Sequence, residues 1–429
     1  MSSSSGSTHY PVIIVGGGQA GLAMSYYLKG QGIPHVIFEK NRVAHAWRTQ
    51  RWDSFCLVTP NWQCQLPGYP YPGNDPNGFM LKDDIVRYVE DYAKLIEAPV
   101  REGVAVKRVT KTDHCRFGVE TSAGAFTAEA VVFAVSGYHV PQIPRIAERI
   151  APGIHQIHSS AYRNPEQLPE GAVLVVGTGQ SGCQIAEDLH LAGRSVHLVV
   201  GSAPRCPRVY RGRDAVDWLS DLGQYDLPVE KHPAGDGVRR KANHYLTGRD
   251  GGRDIDLRRF ALEGMRLYGR LDTVESGVLR FQDDLAKNLD GADAVYNGIC
   301  GLIDRHIAEK GIDAPPAPHY EPVWQPPACQ NGTAPATLDP AAAGITSIVW
   351  STGFRPDWSW VELPIFNGAG YPVHRRGVTA IEGAYVLGLP WLHTWGSGRF
   401  VGVGRDAGFL AEHLTAKLGL MPQTLEAVG

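Results

Sequence analysis

Residues 10–40 read YPVIIVGGGQAGLAMSYYLKGQGIPHVIFEK, and residues 172–189 read AVLVVGTGQSGCQIAEDL. Each begins with a short β-branched run, passes through a glycine turn and continues into a helix-forming stretch, the order that opens a dinucleotide-binding unit. In the first, Gly16, Gly18 and Gly21 form G-x-G-x-x-G directly after the strand. Gly16 allows the tight turn, Gly18 lets the backbone approach a pyrophosphate, and Gly21 lets helix and strand pack closely. The helix, opening at Gln19 and Ala20, turns free N–H groups and a positive dipole end toward an anion. Glu39 closes the next strand eighteen residues after Gly21, near the spacing at which a carboxylate meets ribose hydroxyls.

The second unit carries Gly177, Gly179 and Gly182, with Gln180 and Ser181 opening its helix, but the same count from Gly182 reaches Val200 and not an acid. The next eight residues, GSAPRCPR, put Ser202, Arg205 and Arg208 where a 2′-phosphate sits. A carboxylate repels that phosphate, whereas arginine binds it bidentately. The first turn therefore predicts FAD and the second NADPH; if the arginines form only a solvated loop face, NADH is possible. Two dinucleotides in one chain make sense when one is a tightly held flavin and the other a diffusible hydride donor.

Size and composition set the frame. At about 100–200 residues per domain, 429 residues predict two to four domains. A charged fraction of 20% and a net charge of −3 supply no basic field for nucleic acid. The seven cysteines are scattered with no C-x-x-C pair, so neither a disulfide framework nor a zinc site is expected, and a reducing, cytoplasmic setting fits. No apolar run approaches the ~20 residues of a membrane span, and MSSSSGSTHY reads as a disordered lead-in without the regions of a signal peptide.

Strand-like runs VIIV, HVIF, VVFAV, VLVV and SVHLVV alternate with helical text, predicting an α/β fold of two Rossmann-like domains with buried parallel sheets. Asp83 to Ile96 reads as a helix with acidic residues in its first turn. Between Gly201 and Pro340 the text turns arginine- and proline-rich, an insertion with long loops. Its exception is Leu285, Leu289, Ala292, Tyr296, Ile299, Ile303 and Ile307, spaced as a long amphipathic helix. Strand signals return at SIVWSTGF and GAYVLGL, followed by a helix through RDAGFLAEHLTAKLG.

Further segments carry a resemblance. HAWRTQRWDSFCLVTPNWQCQLPGYPYPG, VVFAVSGYHVPQIP, IVWSTGFRPD and AYVLGLPWLHTWGSGRFVGVGRDAGFLAEHL, with the two glycine units, resemble class B flavin-dependent monooxygenases. That family includes flavin-containing monooxygenases, YUCCA enzymes and Baeyer–Villiger monooxygenases. The resemblance covers most of the chain and implies a two-dinucleotide flavoprotein. Its FAD-binding domain would be discontinuous, residues 1–165 and 336–429, around an NAD(P)H-binding domain, 166–335, with an insertion at about 205–335. The flavin site it implies comprises Gly16, Gly18, Gln19, Ala20, Gly21, Glu39, Lys40, Trp47, Arg48, Thr59, Val106, Thr352, Gly353, Gly388, Phe400 and Val401. The nicotinamide site comprises Gly177, Gly179, Gln180, Ser181, Gly182, Ser202, Arg205 and Arg208.

The family motif F-x-G-x-x-x-H-x-x-x-(F/Y/W) is partly kept in APGIHQIHSSAY, with four residues between Gly153 and His158 and Ala151 in place of the phenylalanine. Tyr162, where Baeyer–Villiger enzymes have tryptophan, favours heteroatom oxygenation. Gly201 stands where many relatives place an arginine, which leaves NADH open. TGRDGGRDIDLRRFALEGMRLYGRL resembles a bacterial flavoprotein branch, and the insertion around it is expected to cover the active site or mediate homodimer formation.

The resemblance implies NADPH- and O₂-dependent chemistry through a C4a-hydroperoxyflavin acting on a small-molecule nitrogen, sulfur or ketone. Asn61 is the catalytic candidate, as an amide near the peroxide, with a turn-fixing role as its alternative. Trp62, Trp391, His393 and Trp395 are substrate-wall candidates, the tryptophan pair having core packing as its alternative. His158 is expected to link domains, and Arg355 to pair with Asp357. The alternatives to a monooxygenase are an NAD(P)H oxidase or electron-carrier reductase, and a non-catalytic nucleotide sensor.

Overall fold

The computed structural model describes residues 8–112, 116–327 and 337–418. Two parallel sheets organise it, because each short apolar run is buried on both faces and needs helices on either side. In the first sheet, His9–Val15 lies between His35–Glu39 and Gly124–Phe133, parallel to both, with Val12 opposite His35 and Val131 opposite Ile13. Val100–Glu102 extends one flank beyond His35–Glu39, and Ala384–Val386 also pairs in parallel with Gly124–Phe133. Antiparallel strands Phe117–Thr121 and Val106–Lys111 continue the other side. The second sheet is parallel throughout, in the order His155–His158, Ile345–Trp350, Ala172–Val176, Val196–Val199, Arg266–Tyr268. Val12, Ile13, Ile14, Val173, Leu174 and Val175 are all fully buried. Among the described residues no helix is long and apolar enough to cross a membrane.

Sheet membership moves the expected domain boundaries. Ile345–Trp350, expected in the FAD domain, is hydrogen-bonded between two strands of the second sheet, and His155–His158 joins the same sheet. The first sheet therefore draws strands from both ends of the chain, while these two strands belong to the second sheet. The passages between the sheets lie in the quoted stretches VVFAVSGYHVPQIP and IVWSTGFRPD, and they meet each other: Val140–Pro141 pairs antiparallel with Phe354–Arg355. His158 fastens this hinge, its Nε2 at 2.8 Å from the Gly353 carbonyl while its Nδ1 accepts the Ser160 N–H. Arg355 acts on the Asp357 carboxyl only through its field; the carboxylate takes hydrogen bonds from Ser359, the larger cause holding it below its usual range.

Local sequence explains the helices. Lys82–Leu95 buries Ile85, Val86, Tyr88, Val89 and Tyr92 and keeps Asp83 and Asp84 in its first turn, the Asp84 carboxylate accepting the Leu81 N–H. The amphipathic run in the insertion is one helix, Leu285–Lys310, stopped at Gly311, whose φ of 63° is the left-handed conformation glycine tolerates. The expected long loops are also interrupted by helices Ala215–Asp221 and Leu257–Leu262 and by a hairpin, Leu271–Glu275 with Val278–Phe281. The last helix begins at Phe400, five residues earlier than RDAGFL suggests. Of the expected disordered lead-in, His9 and Tyr10 belong to the first strand, and residues 1–7 lie outside the described residues.

Burial of a histidine gives this fold a pH dependence. His197, 1% exposed, stacks on Tyr268, and burial with help from Arg266 pushes its imidazole down to about 4. An unfolded histidine titrates near about 6.5. Between that value and about 4 the unfolded chain therefore binds a proton the folded chain refuses. This contribution is fully present above the unfolded value and is lost as pH falls through the window. The thermal midpoint is expected to drop on acidification from neutral, and less steeply in His197→Gln. An equally steep drop in that variant assigns the effect elsewhere.

Candidate functional site

Both glycine turns have the geometry their sequence demands. Gly16 and Gly177 hold φ of 107° and 106°, which side-chain-bearing residues avoid. A Cβ on Gly21 would stand 2.0 Å from the Gly16 carbonyl oxygen, and one on Gly182 1.9 Å from that of Gly177, so both helices press on their own turns. At Gly18 and Gly179 the opposite holds: nothing lies within 4 Å of where a Cβ would be. These two residues precede Gln19–Gly30 and Gln180–Leu191, and neither helix has a side-chain cap on its first N–H groups. Bare helix starts beside open space are what a pyrophosphate requires. The fit holds for both dinucleotides.

The first site has its acid. One Glu39 oxygen accepts the Gly17 N–H at 2.8 Å and the other the Asn41 N–H at 2.9 Å, so the carboxylate is fixed beside the turn. Gln19 reaches across, donating to the Gly398 carbonyl at 3.2 Å, and its other amide atom faces Trp47 Nε1 at 3.5 Å. Trp47 stacks on Phe400, the first residue of the C-terminal helix, at 5.9 Å between ring centroids. Gly388, with φ 77°, abuts Ala20 so closely that its own Cβ would lie 2.6 Å from that methyl. Lys40 is exposed and Thr59 half-buried. Arg48 is not free to meet a ligand: its Nη2 lies 2.5 Å from Glu90. Val106 pairs with Thr121 in the sheet. Thr352 donates to the Gln142 carbonyl, and Gly353 receives His158, so both serve the hinge.

The second site departs from expectation at its arginines. Arg205 and Arg208 are each 2% exposed and turned inward. Arg205 donates to Asp293 at 2.8 Å and lies between the rings of Tyr296 and Tyr320, 4.5 and 4.2 Å from their centroids. Burial opposes its charge, but Asp256, Tyr245 and Asp293 outweigh that and hold its pKa above the usual arginine value. Arg208 Nη2 lies 2.5 Å from Asp214, and its Nη1 donates to the Val58 carbonyl at 2.7 Å. Neither is a phosphate ligand. For Arg205 the reason is the helix Leu285–Lys310, which lies against this loop and supplies Asp293, while its Asn288 donates to the Val200 carbonyl; Arg208 is held instead by Asp214 and the carbonyls of Val58 and Thr247. Ser202 and Ser181 remain exposed, and the Thr178 hydroxyl accepts the Gly201 N–H.

Asn61 is a scaffold residue. It is 3% exposed, its Nδ2 donates to the Asp75 carbonyl at 3.0 Å and its Oδ1 accepts the Met80 N–H at 2.7 Å. Its amide thus clamps the 75–80 loop, correcting the catalytic assignment. The tryptophans are also engaged. Trp62 donates to Asp217 at 2.8 Å. Trp395 stacks on Tyr225 at 4.7 Å and on Trp391 at 6.4 Å, and donates to Asn243. Trp391 is met edge-on by His232, and its carbonyl accepts from Arg239. His393 lies 3.8 Å from Glu230, with burial pushing its pKa down. These contacts fasten the insertion to the first domain, and of the four only Trp62 also lines the neighbouring cleft. Trp62, with Gln65, Tyr225, Val401, Gly404 and Arg405, lines this open cleft of about 400 Å³.

The insertion also joins the two sites. Asn243 Oδ1 accepts from Arg399, just before the C-terminal helix, and three residues later the Leu246 carbonyl accepts from Gln180, the first residue of the second glycine helix. This short segment thus ties the start of the C-terminal helix to the start of the second glycine helix. A second link is Asp188, which accepts from Ser54 of the first domain, Tyr162 of the linker and Arg249 of the insertion. No sequence signal announced Asp188 or Asn243, since neither lies in a motif.

Comparison with known proteins agrees with this architecture. Residues 13–216 match the family described as pyridine nucleotide-disulphide oxidoreductase. The uncharacterized CzcO-like oxidoreductase of Geobacillus kaustophilus is 33% identical over 403 residues, 93% of this chain and 96% of that one. The indole-3-pyruvate monooxygenase YUCCA1 of Oryza sativa is 31% identical over 279 residues, 62% of this chain and 66% of that one. Among solved structures, a double mutant of the flavin monooxygenase from Stenotrophomonas maltophilia superposes with a TM-score of 0.64 at 18% identity, covering 96% of this chain and 99% of that one.

Proposed function

The chain belongs to the CzcO-like oxidoreductases, and on that premise we propose that it is a flavin-dependent monooxygenase that uses FAD and NADPH to oxygenate a small molecule at nitrogen or sulfur. FAD would lie on the Gly16–Gly21 turn with Glu39 at its ribose, and the nicotinamide dinucleotide on the Gly177–Gly182 turn. The observation that carries this is the pair of open, uncapped helix starts at Gly18 and Gly179, linked by a chain of contacts in which Gln19 donates to the Gly398 carbonyl, Arg399 to Asn243, and Gln180 to the Leu246 carbonyl.

When bound, FAD supplies the redox chemistry, taking hydride from the reduced nicotinamide and activating dioxygen. The protein's part is placement and exclusion of water. Trp47 and Phe400 wall the first turn with stacked rings. The insertion closes the outer side through Trp62 to Asp217 and Trp395 to Asn243, which supports the covering role over dimer formation. The nicotinamide preference has lost its sequence argument, because Arg205 and Arg208 are committed to carboxylates; the family's NADPH use now supports it.

Disulfide reduction, which the matched family's description suggests, finds no support in the described cysteines. Cys56, Cys64, Cys183, Cys206 and Cys300 are all free and buried. Burial pushes the Cys56 thiol up to about 11 and that of Cys64 to about 12, so neither offers a thiolate near neutrality.

The test is stoichiometry. Purified flavin-loaded protein is given NADPH, oxygen and either an alkyl aryl sulfide or a tertiary amine, while NADPH loss, hydrogen peroxide and the sulfoxide or N-oxide are measured. A monooxygenase yields oxygenated product with peroxide well below NADPH consumed. Peroxide equal to NADPH, unchanged by every probe, makes it an oxidase.

A further inference from the structure

Phosphates at the two glycine turns bring negative charge to a region whose arginines are mostly committed. Arg48 is paired with Glu90, Arg205 with Asp293, Arg208 with Asp214, and Arg249 with Asp188. Arg51 differs. Its only hydrogen bond joins Nη1 to the carbonyl of Gln50, its own neighbour, at 2.9 Å, and among the described residues no carboxylate lies within 4 Å of it. Its guanidinium is held instead by two aromatic rings, 4.9 Å from the centroid of Trp47 and 5.4 Å from that of Phe55. Protein crowds it closely enough for burial to pull its pKa down, yet its side chain keeps accessible surface. Its remaining N–H groups are therefore open to solvent or to a ligand.

The surrounding contacts locate Arg51 between the two units. Trp47, under Arg51, stacks on Phe400 and faces Gln19 at the first glycine turn. Three residues after Arg51, Ser54 donates to Asp188 on the helix that begins at the second turn. Arg163 of the interdomain linker donates to the Thr49 carbonyl. The segment from Trp47 to Ser54 thus crosses from one dinucleotide unit to the other, with Arg51 in between. A cation there with no carboxylate partner is available to an anionic ligand, and stacking on Trp47 and Phe55 fixes the plane of the guanidinium fork for bidentate recognition.

We infer that Arg51 is an anion-binding residue at the seam of the two units, holding the pyrophosphate of a bound dinucleotide. This rests on the two-dinucleotide reading. The shared chemistry is a nucleotide diphosphate, from FAD or from the nicotinamide dinucleotide, and the experiment separates them.

Wild type, Arg51→Gln and Arg51→Lys are purified, flavin content is measured after gel filtration with and without added FAD, and NADP⁺ affinity is read from quenching of flavin fluorescence across a salt series. Should wild type bind neither dinucleotide, the two-dinucleotide reading itself fails. With wild type binding both, Arg51→Gln is expected to weaken one of them roughly 10- to 100-fold, the scale of a lost charged hydrogen bond, and to flatten its salt dependence. Loss of flavin assigns Arg51 to FAD; intact flavin with weakened NADP⁺ assigns it to the nicotinamide dinucleotide. Arg51→Lys, keeping charge but not the fork, is expected to fall between. Affinities for both dinucleotides within twofold of wild type overturn the inference. If Arg51→Gln fails to fold, Arg51→Lys decides: about tenfold weakening supports the bidentate contact, and unchanged binding overturns it.

Discussion

Asp293→Ala is expected to destabilise the protein by about 3–5 kcal/mol, the range for leaving a buried charge without its partner. The carboxylate is 7% exposed and receives Arg205 Nη1 and Arg258 Nε, each at 2.8 Å. Both cations are buried, Arg258 at 1% exposure. Arg258 keeps Asp290 and the Trp324 carbonyl, while Arg205 keeps the rings of Tyr296 and Tyr320 but no carboxylate nearer than Asp256 at 3.7 Å and Asp254 at 3.9 Å. Arg205 therefore suffers most, and with it the loop after Val196–Val199. The loss is measured as a lowered urea midpoint, and Asp293→Asn should recover part of it by keeping one acceptor. A shift below about 1 kcal/mol would show that water reaches this cluster and screens it as it does surface pairs.

That cluster also marks where sequence reading stopped. The glycine turns were legible because their constraint is local: each glycine is dictated by atoms within a few residues or by the turn's own φ, as with Gly21 against Gly16. The helix Leu285–Lys310 was legible from apolar spacing alone. By contrast, Arg205 and Asp293 are 88 residues apart, and nothing in PRCPR distinguishes a phosphate ligand from a buried ion pair. The strand Ile345–Trp350 was recognisable as a strand, but a β-branched run fits either sheet, and only pairing with His155–His158 and Ala172–Val176 assigns it. Asn61 and the tryptophans carried a resemblance to catalytic and substrate-facing positions. Their polar atoms are taken by Asp75, Met80, Asp217 and Asn243, partners no local pattern reveals.

Paired glycine substitutions separate folding from binding at the two turns. Gly18 and Gly179 have extended backbones, with φ and ψ of −82° and −175° at the first and −62° and 174° at the second, so a β-branched residue fits each without strain. No protein atom lies within 4 Å of an added Cβ. Losing glycine at these N-cap positions costs about 1 kcal/mol at most, so Gly18→Val and Gly179→Val should fold. Their side chains would then stand where a pyrophosphate must approach. Gly18→Val is expected to emerge without flavin and stay so with added FAD. Gly179→Val is expected to keep its flavin but lose affinity for the nicotinamide dinucleotide at least about 10- to 100-fold, since the helix N–H groups behind it are blocked. Gly21→Ala and Gly182→Ala run the other way: their methyls meet backbone carbonyls 2.0 and 1.9 Å away, and overpacking should cost about 1–3 kcal/mol in each helix. Flavin content, coenzyme titration and urea unfolding on the four variants read the outcome directly. If Gly179→Val binds the nicotinamide dinucleotide as wild type does, the second turn is a structural relic, and hydride must reach the flavin from elsewhere.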